Sequence, residues 1–131
     1  MAWTAVTVGN VCKNQAGYSY GVFKASGAIS KGQACYINAD NYVLKGGGNK
    51  AIFAAANDAT HGDEVAVYGL GCIVNGRISG SSTPSAGDYV VGGTNGYWTK
   101  NSTVSGCAQV VDAPSTNGGE GTVIILGPWS G

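Results

Sequence analysis

The sequence predicts an all-β protein: a β-sandwich or barrel built from two tandem pseudo-repeats of about 50 residues, with an extended N-terminal segment. Three observations predict it. Val and Ile outnumber Leu and Met twenty-one to four, and β-branched side chains suit a pleated surface better than a helix. Glycine supplies 23 of 131 residues in short clusters such as Gly46-Gly47-Gly48, Gly92-Gly93 and Gly118-Gly119, which read as turns between many short strands. The third observation is the internal repeat itself.

In order along the chain, residues 3–8 (Trp-Thr-Ala-Val-Thr-Val) and 18–24 (Tyr-Ser-Tyr-Gly-Val-Phe-Lys) alternate in the strand manner, separated by a loop at 13–17. Runs 34–38 and 42–45 flank the turn-rich Ala39-Asp40-Asn41 and predict a hairpin. Residues 51–56 are alanine-rich but too short for a stable helix, and are assigned to a strand in a crowded place. Residues 64–68 alternate, and after 69–71 the run Cys72-Ile73-Val74 leads to an expected turn at Asn75-Gly76. Runs 88–91 and 97–100 flank a glycine-rich connection, and strands at 107–111 and 122–126 close the chain.

The repeat aligns 31–37 with 85–90, and each copy is followed by a hairpin ending in Tyr-x-x-Lys, at Tyr42 to Lys45 and at Tyr97 to Lys100. An Ala- or Val-rich strand follows in each copy, ending in Asn57-Asp58-Ala59 and in Val111-Asp112-Ala113. Val65-Ala66-Val67-Tyr68-Gly69 then answers Val123-Ile124-Ile125-Leu126-Gly127. The copies span about 29 to 127, and neither is expected to bury its apolar face alone. The domain reading is an N-terminal arm with strands at 1–25 and a duplicated β domain at 26–131, one compact domain overall.

Seven basic and seven acidic residues are scattered along the chain, leaving no stripe to attract phosphates, so nucleic acid is not an expected partner. No run approaches 18 apolar residues, so no membrane partner is expected, and the start lacks the pattern of a secretory signal, which points to synthesis in a cytosol. Cys12, Cys35, Cys72 and Cys107 show no Cys-x-x-Cys spacing and are read as small buried hydrophobes, with disulfides the alternative and no metal site expected. His61 with a cysteine could nominally form a nucleophile and base, but its surroundings read as an exposed turn. Asp58, Asp63 and Glu64 lack the pattern of a calcium loop. Lys45 and Lys100 are expected to be edge-strand charges that discourage aggregation. No catalytic residue, metal or cofactor follows from these patterns.

The succession Gly-x-Ala-x-Tyr-Ile at 32–37, Asn-Tyr-Val-x-Lys at 41–45, an Ala-rich strand to Asn-Asp-Ala at 51–59 and Gly-Asp-Glu-Val-x-Val-x-Gly at 62–69 resembles the small head decoration, or cement, proteins of tailed bacteriophages. A looser second copy covers 85–127. The resemblance implies a virion structural protein on the capsid surface, a homotrimer or homodimer bound to the major capsid protein, assembled in the host cytoplasm, with no catalytic residues. The four cysteines and the long aromatic N-terminal segment depart from that family's pattern. Trp3, Tyr18, Tyr20 and Trp129, outside the repeat, are the candidate interface residues, since such side chains offer large contact area with a polar handle. The rival reading is a carbohydrate- or receptor-binding β-module of a phage tail fibre, using Tyr42, Tyr97 and Trp98 as exposed stacking platforms.

Overall fold

A computed structural model describes residues 21–102 and 106–127. The strand expected over 3–8, Cys12, and the interface candidates Trp3, Tyr18, Tyr20 and Trp129 lie outside the described residues. Within them the chain forms ten strands: β1 (Gly21–Ala25), β2 (Ala34–Ile37), β3 (Tyr42–Lys45), β4 (Phe53–Ala55), β5 (Glu64–Tyr68), β6 (Ile73–Ser79), β7 (Tyr89–Gly92), β8 (Trp98–Ser102), β9 (Ala108–Asp112) and β10 (Glu120–Ile125).

The strands make two closed barrels, in the orders β1-β3-β2-β4-β5 and β10-β6-β8-β7-β9. In each, the first strand of the unit runs parallel to the third and antiparallel to the fifth: β1 with β3 and β5, and β6 with β8 and β10. The duplicated unit therefore has five strands and starts no later than β1, one strand earlier than the sequence pattern alone indicates. The copies agree down to single hydrogen bonds. The Gly32 amide donates to the Ala55 carbonyl and the Gly87 amide to Val110, each at 2.8 Å; the Gly62 amide donates to Ala25 and the Gly118 amide to Ile78, again at 2.8 Å.

The hairpins β2–β3 and β7–β8 share one turn. In each, the turn's first carbonyl accepts from the residue three further on, Asn38 from Asn41 at 3.0 Å and Gly93 from Gly96 at 2.9 Å. That receiving residue sits in the left-handed region, Gly96 at φ 83° and Asn41 at φ 65°. Asn is among the few non-glycine residues that enter this region at small cost, and Asn38 secures the turn by accepting the amides of Asp40 and Tyr42 on its Oδ1, both at 3.0 Å.

Each unit closes around its own core, which corrects the expectation that neither could bury its apolar face alone. Ala25, Ile29, Cys35, Val43, Ala55, Ala59, Val65 and Val67 fill the first barrel, with Phe23, Ile37 and Phe53 packed against them. Val74, Ile78, Val90, Trp98, Cys107, Ala108, Val110, Val123 and Ile125 belong to the second core. A fully buried Val or Ile contributes about 1.5–3 kcal/mol, so both interiors drive folding. The second cluster extends into the first unit through Ala34, Ala51 and Ala54. Ala34 and Ala54 are cross-strand partners on β2 and β4. Their counterparts in the second unit, Tyr89 and Gln109, are partners on β7 and β9 and half-buried. Alanine at the outward positions of one copy lets the barrels approach closely.

Two further expectations are corrected. Asn75-Gly76 is not a turn but the middle of β6, where Gly76 lets the backbone of the other unit approach: a Cβ there would stand 2.7 Å from the Gly32 carbonyl oxygen and 2.9 Å from the Trp98 ring. Lys45 and Lys100 are not edge charges, because both strands have neighbours on either side in closed barrels; Lys100 pairs with Asp88 at 3.1 Å.

Candidate functional site

Where the barrels meet, a seam of backbone contacts runs past a cleft. The seam holds the Ala34 amide on the Gly96 carbonyl (2.8 Å) and a reciprocal bridge between Gly48 and Gly92 (2.8 and 3.1 Å). Gln33 Nε2 donates to the Asn95 carbonyl at 3.1 Å, and the buried Trp98 Nε1 donates to the Gly32 carbonyl at 3.2 Å. Trp98 fills the second barrel with its ring and holds the first with its edge. Exposed stacking by Trp98, part of the carbohydrate reading, is thereby corrected: its exposure is 0%.

The cleft, of about 280 Å3, is lined by the 30–33 turn, by Asn75, Gly76, Arg77 and Glu120 from the β6–β10 ladder, and by Gly96 and Tyr97 from the β7–β8 hairpin. The 30–33 turn is fixed by Ser30, whose amide donates to Gln33 Oε1 at 2.8 Å, and by Lys31, whose amide donates to Asp58 Oδ1 at 2.8 Å. Asn75 is buried and accepts the Thr122 hydroxyl on its Oδ1 at 2.6 Å. Arg77 and Glu120 face each other in register, and one Arg77 guanidinium nitrogen donates to the Gly118 carbonyl at 3.3 Å. The sequence reading singled out Tyr97 from this cleft. It missed Arg77, Glu120 and Gln33, whose only sequence signal is polarity beside a glycine.

The other residues weighed for chemistry serve turns and packing. His61 is exposed, accepts the Gly27 amide on Nδ1 at 3.3 Å and stacks on Tyr42 with ring centroids 6.4 Å apart. Asp63 accepts the Thr60 hydroxyl at 2.6 Å and its amide at 3.1 Å, and these bonds hold its carboxyl below the ordinary carboxylate range. Asp88 does the same for the Ser85 amide at 2.8 Å; that bond, and then Lys100, lowers its carboxyl. Cys35, Cys72 and Cys107 are free and buried. Burial pushes the Cys35 thiol up to about 12 and the Cys107 thiol up to about 11, and raises Cys72 as well. A thiol held protonated is a weak nucleophile, so these three serve as small core residues. Among the described residues no group of three or more His, Cys, Asp or Glu side chains is placed to hold a metal ion.

Two closed five-stranded barrels in tandem, sealed by a seam of small residues and notched by a cleft at their junction, define the chain as a duplicated small-barrel protein. The arrangement is similar to that of the head fibre gp8.5 N base of bacteriophage phi29, with a TM-score of 0.60 and 18% sequence identity over 85% of this chain and 97% of that one. At such identity the likeness is one of fold. No family model matches the chain, and no curated protein matches its sequence.

Proposed function

We propose that this chain is a structural protein of a tailed-phage head, a decoration or cement protein on the outer surface of the capsid. The observation that carries the reading is the tandem-barrel fold shared along nearly the whole length of a phage head fibre base, joined to the decoration-protein pattern at 32–69 and 85–127. In this reading the major capsid protein and further copies of the chain, as a homotrimer or homodimer, are the partners, and Trp3, Tyr18, Tyr20 and Trp129 make the contacts. Barrels closed on themselves leave attachment to side chains and terminal segments instead of strand addition. Many copies of a modest contact on a symmetric shell sum to a large stabilisation.

Co-sedimentation of the purified chain with mature undecorated heads, alongside unexpanded procapsids, tests the proposal. Saturable binding to mature heads, at a stoichiometry set by the shell's symmetry axes and lost on removal of residues 1–20, is expected. Absence of binding to either particle would refute it.

A further inference from the structure

Asparagine is followed by glycine at 75–76, 95–96 and 117–118. In such a pair the glycine nitrogen, unshielded by a Cβ, can close on the asparagine Cγ. The nitrogen gives up its proton, the Cγ–Nδ2 bond breaks and the amide group leaves as ammonia; one water then opens the cyclic imide at either carbonyl, leaving aspartate or isoaspartate. The fold guards the three pairs unequally. Asn75 is buried, its Oδ1 accepts the Thr122 hydroxyl at 2.6 Å, and Gly76 is paired with Gly121 inside the β6–β10 ladder. Asn117 is exposed but clamped at both ends of its carboxamide: Oδ1 accepts the Gly80 amide at 3.0 Å and Nδ2 donates to the Gly80 carbonyl at 2.7 Å, while the Gly118 amide donates to the Ile78 carbonyl at 2.8 Å. Asn95 is exposed at the tip of the β7–β8 hairpin, and among the described residues its carboxamide has one bond, from the Tyr97 amide to Oδ1 at 3.1 Å. The Gly96 amide is engaged within its own turn, on the Gly93 carbonyl at 2.9 Å.

We propose that Asn95-Gly96 is a site of spontaneous backbone modification, converting to aspartate and isoaspartate in the folded chain ahead of the other two pairs. The contrast lies in where each carboxamide is held. The clamp on Asn117 turns its Cγ away from its own peptide and toward Gly80. The Tyr97 amide, two residues on, instead folds the Asn95 carboxamide back along its own peptide, on the side of the Gly96 nitrogen. The same amide donates to Oδ1, the oxygen that gains charge as the nitrogen adds to Cγ, and a donor already in place stabilises that charge. The Gly93–Gly96 turn bond has to open, but it lies beyond the last β7–β8 pair, Gly92 with Trp98, so the ladder stays intact. The product bears on the seam. In isoaspartate the main chain runs through Cβ and Cγ, which lengthens it by one methylene and turns the old Asn95 carbonyl, the acceptor of Gln33 Nε2, into a free carboxylate. Gly96 has no slack for this: a Cβ there would stand 2.8 Å from Gln33 Cδ, and its carbonyl accepts the Ala34 amide across the seam at 2.8 Å.

The test is to age the full chain in mildly alkaline buffer made with heavy-oxygen water, digest it at intervals, and map by mass spectrometry where the isotope enters and whether the product is aspartate or isoaspartate. The same chain aged in guanidinium chloride gives the reference rates. In the folded chain the label is expected at 95 at least about tenfold faster than at 75 or 117, tenfold being the factor that one further hydrogen bond to be opened represents. Chains carrying isoaspartate at 95, separated from the rest, should melt about 4 °C or more lower. Asn95→Gln, whose ring closure would need one more atom, should keep its melting point over the same period. Label appearing first at 75 or 117, equal rates at all three pairs in the folded chain, or none at 95 while the denatured chain converts would each overturn the proposal. The wild-type map decides this even if the variant fails to fold, and head co-sedimentation is scored separately, so the two proposals fail independently.

Discussion

Replacing Trp98 by Phe separates the two tasks of that side chain. Trp98 is fully buried, fills the second barrel, and reaches the Gly32 carbonyl of the first barrel through Nε1 at 3.2 Å. Truncating a buried Trp to Ala costs about 3–5 kcal/mol; keeping a six-membered ring recovers roughly half of that and leaves about 2 kcal/mol for the void. The Gly32 carbonyl, left without the indole N–H, adds about 1–3 kcal/mol. The expected loss is about 3–5 kcal/mol, a large share of the roughly 5–15 kcal/mol that holds a domain together. At about 4 °C per kcal/mol for a chain of this size, the unfolding midpoint should fall by about 12 °C or more. Urea unfolding followed by far-ultraviolet circular dichroism, with parallel thermal melts, measures it. A loss below about 1 kcal/mol would show that Trp98 neither fills the barrel nor ties the seam, and would refute the reasoning.

The remaining predictions concern turns, acid and thiols. Asn41→Ala should destabilise by about 1 kcal/mol, since Asn41 lies at φ 65° where a plain side chain is disfavoured by about 1–2 kcal/mol, whereas Asn41→Gly should stay within about 0.5 kcal/mol in the same urea assay. Asp63 and Asp88 titrate below the ordinary carboxylate value in the folded chain. Their contribution is therefore complete above the unfolded value of about 3.9 and is lost as pH falls through the lower folded values; melts should be flat near neutrality and decline in acid, and Asp63→Asn with Asp88→Asn should flatten that decline. Iodoacetamide at pH 8, with peptide mapping, should leave Cys35, Cys72 and Cys107 unmodified in the folded protein and label all three in denaturant.

The period-2 signal was strong enough to mark β3, β5 and β7, because those strands alternate between a barrel interior and the outer face, and the turn signals beside them marked their hairpin partners β2 and β8. The repeat was legible from β2 onward because Lys45 and Lys100 hold equivalent places in the β3 and β8 ladders, and the Tyr42 and Tyr97 carbonyls accept equivalent turn amides, from Asn38 and Gly93. Its first strand was missed because β1 (Gly21–Ala25) and β6 (Ile73–Ser79) share almost no residue types: Val22, Phe23, Lys24 and Ala25 hold the places of Asn75, Gly76, Arg77 and Ile78. Asn75-Gly76 carries the usual signature of a tight turn; here the glycine serves the approach of Gly32 and the Trp98 ring. Trp98 read as a surface aromatic because it follows a turn and precedes Thr99 and Lys100, and only the seam explains its burial. The cleft was illegible for a plainer reason, since its walls come from four segments far apart in sequence.

The alanines of the seam have a consequence for what each half of the chain can do alone. Ala34, Ala51 and Ala54 face outward from the first barrel yet are buried in the core of the second. A chain severed at Leu70, which is half exposed, would yield two rings of strands whose ladders are each closed but whose seam hydrogen bonds and one apolar flank are bare. Such halves should reassociate when mixed, as a split protein does, and the wholeness of the molecule rests on that flank more than on the peptide that joins them.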